Sequence, residues 1–282
     1  MSPERRRRAV RHLQSRFRVS ERRACLAARQ HRSAQRYCRS LASDEALLRE
    51  RLRLLSRRHP RYGYRRMHAI LRREGWACNR KRVQRLWRDE GLRLPRKARR
   101  RRRGRRMPGH VQAACPNQVW ALDFLSDRTA DGRPIKILTI TDEHTREALA
   151  TPAARRITSD DTVGALERVV ERRGSAPAFI RCDNGPELTA AALKDWCRFN
   201  GTTISYIEPG APWQNPYVES FNGHLRSELL DLESFNTLLE AQLLLDDWRL
   251  EYNHHRPHQS LNYQTPTAFA HQWHADHDQR PS

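Results

Sequence analysis

The sequence lacks several features that would place it quickly in a class of protein. No window approaches the run of about 18 apolar residues that a membrane span needs, and the N-terminal MSPERRRRAV has no apolar stretch of the signal-peptide kind. The six cysteines are scattered without a CxxC pair, so we expect neither a structural zinc site nor a disulfide framework. These absences predict a cytoplasmic chain with no membrane partner.

What the chain has in excess is positive charge, and the excess is confined to one part. The 282 residues carry a formal net charge of +22. Residues 1–110 hold 38 Lys and Arg against 8 Asp and Glu, whereas residues 111–282 hold 16 against 24. The first part is therefore expected to bind a polyanion, and double-stranded DNA is the expected partner. The second part concentrates the carboxylates, and the length allows two domains or three small ones.

Residues 1–93 show helical patterns separated by tight turns. Residues 1–42 predict a three-helix unit with caps at Ser20 and Ser33. Residues 43–93 predict a second unit, in which Asn79 caps the last helix. Both units are typical of helix-turn-helix modules. The predicted core of the first unit is Val10, Leu13, Phe17, Cys25, Leu26, Ala34 and Tyr37; the predicted DNA-binding residues of the second are Arg65, Arg66, Arg80, Lys81, Arg82 and Arg85.

Residues 94–116 have no periodicity and predict a linker. Nine of the eleven residues in Arg96–Arg106 are Lys or Arg. Such a segment is either an arm that follows phosphates, with Arg99, Arg100 and Arg101 among its DNA contacts, or a solvated tail. The DNA partner favours the arm.

Residues 117–270 show short apolar runs alternating with longer helical ones, and residues 271–282 are expected to be a tail. The order is strand, strand, strand, helix, strand, helix, strand, helix, helix. It predicts an α/β domain with a mixed five-stranded sheet and helices, of the ribonuclease-H-like class. The predicted elements are Gln118–Asp127, Ile135–Asp142, Glu147–Ala153, Ser159–Arg173, Ala178–Cys182, Thr189–Asn200, Thr202–Ile207, Pro216–Leu230 and Asn236–Asn253.

Three carboxylates in this domain lie inside a strand, directly after a strand and at the start of a helix. Asp123 lies inside the apolar strand VWALDFLSD, where an unpaired carboxylate costs several kcal/mol. Asp183 follows a strand in the turn CDNGPE. Glu219 begins a helix, with 35 residues between it and Asp183. Converging carboxylates are the ligands that hard divalent cations prefer.

We therefore predict that Asp123, Asp183 and Glu219 are catalytic residues and metal ligands. Two Mg²⁺ ions about 4 Å apart, or Mn²⁺ as a substitute, would serve an in-line displacement at phosphorus. Taken singly, Asp183 is also typical of turn chemistry, and Glu219 is also a favourable acid for the first turn of a helix. Asp123 has no such alternative.

Other residues near these acids have two interpretations each. Asn222 and Arg226 share a helix face with Glu219 and are predicted to contact DNA; Arg226 is otherwise a surface charge. Trp213 and Tyr217 either stack on a base or belong to the core. The histidines of YNHHRPHQSL predict a loop that ends a helix or contacts DNA, with zinc binding as the weaker alternative.

Several segments resemble the OrfB-type transposases of the frameshift-using insertion-sequence family, in the retroviral integrase superfamily. RYGYRRMHAILRREG and NRKRVQRLWRDEGL look like that family's helix-turn-helix region. PNQVWALDF, DGRPIKILTITDEHTRE, RCDNGPE, WQNPYVESFNGHLRSELL and YNHHRPHQSLNYQTP look like its catalytic core. By this resemblance, the family's three acids correspond to Asp123, Asp183 and Glu219, and its basic residue corresponds to Arg226.

The resemblance implies a bacterial, nucleoid-associated enzyme that cleaves insertion-sequence ends and transfers a 3′-hydroxyl through a circular intermediate. It also implies oligomerisation on DNA and an upstream-frame partner protein or fusion. The zipper pattern of Leu47, Leu48, Leu52, Leu54 and Leu55 spans barely two turns, too short for a coiled coil alone. The alternatives are a DNA-binding regulator without catalysis and a cellular nuclease of the same fold.

Overall fold

The computed structural model describes residues 3–36, 44–93, 112–208 and 215–278. The chain forms two compact units, Met1–Arg51 and Leu52–Ser282. Within the described ranges, no helix combines the length and the apolar character that crossing a membrane requires. The predicted boundary after residue 42 and the predicted linker fall mostly outside the described residues, so the domain limits stay a prediction.

The first unit is a small helical cluster. It contains α1 (Pro3–Phe17), α2 (Glu21–Ala27), α3 (Arg32–Arg36) and the start of α4 (Glu45–Arg58). The predicted cap at Ser20 is confirmed, since its side chain accepts from the Arg23 N–H at 3.4 Å.

Three predictions for this unit are wrong. Ser33 lies inside α3 and does not cap it. The core comprises Val10, Ala24 and Cys25, whereas Phe17 is 63% and Leu26 80% exposed, because they lie on the outward faces of their helices. Tyr37 lies outside the described residues.

The second unit begins with the rest of α4 and continues with α5 (Tyr64–Arg73) and α6 (Arg80–Asp89). Asn79 caps α6 as predicted, because its Oδ1 accepts from the Arg82 N–H at 2.7 Å. One face of the pair is apolar and buried, with Met67 and Leu71 from α5 and Val83, Leu86 and Trp87 from α6. The opposite face carries the arginines, which gives each helix a strongly amphipathic pattern.

The sheet is mixed, as predicted, but within the described residues it has six strands and not the five expected. Its strands are β1 (Val119–Arg128), β2 (Pro134–Asp142), β3 (Ala148–Ala150), β4 (Ala153–Ala154), β5 (Phe179–Cys182) and β6 (Thr203–Tyr206). Along the sheet they lie in the order β3-β2-β1-β5-β6, and β4 also pairs with β2. The single strand expected at Glu147–Ala153 is thus two short ones, because Pro152 has no N–H to donate to a ladder. The order of strands and helices is that of the predicted ribonuclease-H-like class.

Strand β1 separates two apolar cores. Trp120 and Leu122 face a cluster with Leu138, Ile140 and Ile180. Residues of the opposite parity face the other side of the sheet, where Ile135 and Ile137 pack against Phe221 and Leu225. Since side chains alternate along a strand, Asp123 belongs to this second side.

Helices cover both sides of the sheet. On the first side lie α7 (Ser159–Arg173), α8 (Pro186–Thr189) and α9 (Ala191–Phe199). The bounds predicted for α7 match. The sequence pattern favours Ser159 or Asp160 as its cap, but the cap is Thr158, in a capping box with Asp161. Gly174 ends α7 with a positive φ of 72°, a conformation that glycine adopts at low cost.

The second side carries α10 (Pro216–Leu225), α11 (Leu238–His254) and α12 (Pro266–Asp278). The prediction of one α-helix through Leu230 is wrong, because Arg226–Leu230 is a π-helical turn in which the Asp231 N–H donates to Arg226 O at 2.7 Å. Sequence analysis did not predict α12, which crosses the expected start of the tail.

A buried ion pair joins these elements to the helix-turn-helix segment. Arg256 forms a fork with Glu228, with Nε–Oε2 at 2.9 Å and Nη2–Oε1 at 2.8 Å. Their side chains are 1% and 9% exposed. Arg66 of α5 approaches the same carboxylate at 3.9 Å, and the guanidinium of Arg256 lies 5.8 Å from the centre of the Tyr62 ring. Burial raises the pKa of Glu228, but the hydrogen bond and charge of Arg256 outweigh it and lower the pKa below its usual value.

Two hydrogen bonds to backbone oxygens add to this attachment between the two segments. Arg61 donates to Ser227 O at 3.2 Å, and Arg73 donates to His255 O at 2.6 Å. The second helix-turn-helix segment is thereby attached to the π-helical turn and to the end of α11.

Replacing Arg256 by methionine is expected to lower the free energy of unfolding by about 3–5 kcal/mol, because it leaves Glu228 charged and buried without its main partner. Urea denaturation followed by tryptophan fluorescence measures the effect. The double variant Arg256→Met with Glu228→Leu should recover part of the loss.

The matched control is Arg198→Met, since Arg198 is 81% exposed and pairs with Asp195 at 3.6 Å. An exposed pair of this kind contributes about 0–1 kcal/mol. Equal destabilisation by the Arg256 and Arg198 variants would contradict the structural role of the fork.

Candidate active site

Asp123 lies in the middle of β1 with both carboxylate oxygens engaged. Its Oδ1 accepts from the Phe124 N–H at 2.8 Å, and its Oδ2 accepts from the Asn222 side-chain amide at 2.7 Å. Opposite it on β2 is Thr139, whose hydroxyl donates to Asp123 O at 3.1 Å. The apolar strand therefore holds this acid by specific hydrogen bonds, and the acid faces α10.

Asp183 directly follows β5, the strand that pairs with β1. Strands β1 and β5 are parallel, with Ala121 opposite Arg181, and β5 ends at Cys182. The negative charge of Asp183 acts on Asp123, so the turn after β5 brings the two acids into one region. The Gly185 N–H donates to Asp183 Oδ1 at 3.0 Å. A Cβ atom on Gly185 would lie 3.0 Å from that same oxygen, so the absence of a side chain leaves room for the carboxylate.

Glu219 occupies the first turn of α10, which begins at Pro216. It is half-buried. Asn222, one turn further along α10, is 6% exposed and reaches Asp123. The structure therefore corrects the expectation that Asn222 contacts DNA from the surface: its amide is used to hold Asp123.

The pKa of Asp123 depends on both of the other acids. Burial raises the pKa of the Asp123 carboxyl to about 6. The hydrogen bonds from the Phe124 N–H and the Asn222 amide oppose the rise, while the negative charges of Asp183 and Glu219 add to it. Both acids are therefore close enough to Asp123 to repel its charged form.

The oxygen atoms in this region are of the kind that a hard divalent cation binds. It contains three carboxylates, and the Oδ1 of Asn222 is a buried oxygen with no hydrogen-bond partner. In the described parts of the chain, however, no group of three or more His, Cys, Asp or Glu is close enough to hold a metal ion together. The three acids thus share one region without forming a closed ligand set.

Arg226 lies against β1, the strand that contains Asp123. It is exposed, and its Nη2 donates to Ser126 O at 3.3 Å. Asn222 and Arg226 both contact β1, as expected for residues on one face of the helix. A contact between Arg226 and DNA stays a prediction.

The other predicted DNA-binding residues divide into three groups. Arg65, Arg80 and Lys81 are exposed, and Arg82 and Arg85 are half-buried. Arg66 points inward to Glu228, and burial lowers its pKa; this corrects its expected place among the surface cations. Arg99, Arg100 and Arg101 lie outside the described residues.

The aromatic and histidine predictions also have structural outcomes. Trp213 lies outside the described residues. The guanidinium of Arg146 lies 3.6 Å from the centre of the Tyr217 ring, so one ring face is covered by protein. Helix α11 ends at His254, and His258 Nε2 lies 3.1 Å from Arg256 Nη1, so His258 belongs to the buried network.

Sequence analysis gave no role to two arginines and two acids in this part of the domain. Arg146 and the buried ion pair of Arg181 with Glu143 lie on or beside β2 and β5. Glu187 pairs with Lys136, and its Oε2 would lie 3.7 Å from a Cβ on Gly185. The signal that could have found them is charge inside apolar surroundings, which identified Asp123.

Models of known families match most of the chain. An integrase core domain matches residues 113–212 and, in a second model, residues 200–266. An HTH-like domain matches residues 42–103.

The chain is also similar to proteins of bacterial insertion elements. A 31.7 kDa protein of element IS407 from Burkholderia multivorans is 41% identical over 254 residues, which cover 89% of this chain and 91% of the relative. A 39.2 kDa protein of IS476 from Xanthomonas euvesicatoria is 38% identical, with 96% and 78% covered. The transposase InsD of IS2 from Escherichia coli is 29% identical, with 76% and 74% covered.

Among solved structures, the catalytic core of HTLV-2 integrase in complex with magnesium matches with 19% identity and a TM-score of 0.45, over 56% of this chain and 99% of that one. A chain of the simian T-cell lymphotropic virus intasome in complex with PP2A regulatory subunit B56 gamma matches with 17% identity and a TM-score of 0.48, over 69% and 68%.

Replacing Asp123 by asparagine is expected to stabilise the metal-free chain at pH 8 by roughly 1–3 kcal/mol, because folding then no longer buries a charge beside two others. A raised folded pKa of about 6 makes the penalty complete above that pH, and it disappears as the pH falls toward the usual value near 4. Urea midpoints with EDTA at pH 8 and pH 4 measure the difference.

Asp195→Asn is the control, since Asp195 is 55% exposed on α9. A gain at pH 8 no larger than that of the control would mean that Asp123 is not strained by burial and neighbouring charge.

Proposed function

This chain belongs to the OrfB-type insertion-sequence transposases, integrase-type enzymes of DNA transposition, and from that premise we propose that Asp123, Asp183 and Glu219 carry its phosphoryl-transfer chemistry. As members of the integrase superfamily these enzymes are polynucleotidyl transferases. The observation that carries the assignment is the buried carboxylate of Asp123, whose charge is disfavoured by both other acids. Buried like charges without a compensating partner are typical of functional sites.

The proposed reaction is cleavage at the ends of the element and transfer of the 3′-hydroxyl to a new phosphodiester. The three carboxylates would hold magnesium, or manganese as a substitute. When bound, two such ions would polarise the phosphodiester and activate the attacking hydroxyl.

The protein's own part is to position these groups. The Asn222 amide and the Phe124 N–H fix the orientation of Asp123. The Gly185 N–H fixes Asp183. Such hydrogen bonds orient ligands and reduce the reorganisation needed during reaction.

DNA would be held by charges around this centre. Arg226 is the proposed phosphate contact next to Glu219, and the exposed Arg65, Arg80 and Lys81 are the proposed contacts of the HTH-like domain. Oligomerisation on DNA and an upstream-frame partner belong to the same proposal, as implied by the family.

The variants Asp123→Asn, Asp183→Asn and Glu219→Gln are each expected to lower end cleavage and strand transfer by about 10²-fold or more, because each removes a charged oxygen ligand. The assay uses the full chain, magnesium, and labelled DNA carrying the inverted repeats that flank its gene. Retention of that DNA in gels should stay within about twofold of wild type.

Asp195→Asn serves again as a carboxylate control and should leave both reactions unchanged. Strand transfer by any of the three variants at a wild-type rate would remove that residue from the assignment. Cleavage without strand transfer by the wild type would favour the nuclease alternative, and DNA retention without either reaction would favour the regulator.

Gly185→Ala is expected to slow strand transfer about tenfold without changing the urea midpoint. Its new Cβ would press on Asp183 Oδ1, and small displacements of reacting groups are costly to rate. Gly164→Ala is the control, because its Cβ would make an ordinary 3.5 Å contact with Arg168. Equal rates for the two variants would show that Asp183 tolerates displacement.

A further inference from the structure

A second polar pocket lies on the side of α10 that faces away from the three acids. It has a volume of about 630 Å³ and is lined by α10, the end of β2, the end of α11 and Arg66 of α5. Pockets of roughly 300–1,000 Å³ suit small ligands. Tyr217, Ser220 and His224 line it, and their spacing puts them on a different face of α10 from Glu219, Asn222 and Arg226.

Arg146 is the unusual charge in this pocket. Its Nη1 is buried and has no hydrogen-bond partner. No ion pair joins it to a carboxylate in the described parts of the chain. Its guanidinium carbon lies 3.6 Å from the centre of the Tyr217 ring. Arg146 as a whole is half-buried, but a buried N–H group without a hydrogen-bond partner is costly.

The neighbouring arginines do have such partners. Arg256 and Arg66 share Glu228, Arg181 pairs with Glu143, and Arg173 lies within reach of Asp142 and Glu147. Among the described residues Arg146 has no ion pair of this kind. Its charge acts on the Glu143 carboxylate, where it opposes the rise in pKa, but the hydrogen-bonding partner of Glu143 is Arg181.

Two histidines supply neutral hydrogen-bonding groups at the same place. Burial, with the charge of Arg256, lowers the pKa of His224 to about 4 and that of His258 to about 2. At neutral pH their rings are uncharged, so each can donate one hydrogen bond and accept another. Gln259 and Ser260 add polar groups at the exposed rim.

We propose that this pocket receives one nucleotide of the DNA strand, with its phosphate on Arg146 and its sugar or base against the polar rim. The proposal rests on the proposed function, because that function brings a DNA strand to α10. A phosphate supplies the hydrogen-bond acceptor that Arg146 Nη1 lacks, and the charge-assisted contact is the strong kind. The rest of the volume fits the nucleoside.

The test is a site-specific crosslink in the full chain without divalent metal. Gln259 is replaced by the photoreactive residue p-benzoylphenylalanine, and the chain is irradiated with a labelled, mixed-sequence single-stranded oligonucleotide. Efficient crosslinking at this rim position is expected. Adding Arg146→Gln should lower the yield about tenfold, while Arg198→Gln, which removes an exposed charge on α9, should not.

Competitors identify the recognised group. The mononucleotide dAMP at millimolar concentration should suppress the crosslink, and deoxyadenosine should not, because only dAMP carries the phosphate. Equal suppression by the two would overturn the role of Arg146 as a phosphate contact.

A second variant protects the test against misfolding. Ser260→Trp adds bulk at the rim without changing charge, so it should lower the crosslink while leaving gel retention of DNA unchanged. If Arg146→Gln does not fold, Ser260→Trp decides. A crosslink that neither variant lowers would overturn the proposal.

The result is independent of the chemistry proposed for the acids. A chain that joins strands but gives no crosslink would overturn the pocket alone. A chain that crosslinks in this pattern but joins no strands would overturn the catalytic assignment alone.

Discussion

The pleat of β1 is the constraint on which the rest of the catalytic domain depends. Its even-numbered residues Trp120 and Leu122 fill one core, and its odd-numbered residues face α10. A slip of one residue would exchange the two sets and bury Asp123 among aliphatic side chains. Strand β5 pairs in parallel with β1 and ends at Cys182, directly before Asp183, whose charge acts on Asp123. Folding of the apolar cores and placement of the acids are therefore one event.

The α10 side of the sheet contains buried charged groups in addition to its apolar core. Besides its apolar cluster it holds the acids, the pair of Arg181 with Glu143, and the fork of Arg256 with Glu228. Buried charges interact strongly and lose much stability when one partner is missing. This explains why the domain combines a conventional apolar core on the α7 side with a sensitive polar layer where the chemistry is proposed.

Local signals predicted much of this architecture. The apolar residues around Asp123 in β1 identified it as an anomaly, and the helical period gave the bounds of α7. The family and the fold class followed from the same segments.

What sequence reasoning missed depends on contacts between distant residues. Arg256 and Glu228 are 28 residues apart, and nothing local distinguishes Arg66, which points inward, from Arg65, which is exposed. The π-helical turn after Leu225 likewise reflects packing and not a local motif. The assignment of the three acids themselves rests on residue type and placement, and it stays a prediction.

The attachment of α5 to the catalytic domain has a consequence for the distance along the DNA between the contacted sequence and the cut bond. Arg61, Arg73 and Arg66 tie the HTH-like segment to the core at several points, so α6 and Glu219 belong to one compact unit. If α6 contacts DNA and the acids cut it as proposed, this unit would fix the number of base pairs between the sequence that α6 contacts and the bond that is cut. Each added base pair would turn the cut site around the duplex axis by about a tenth of a turn, so the spacing inside an element's end should tolerate little variation.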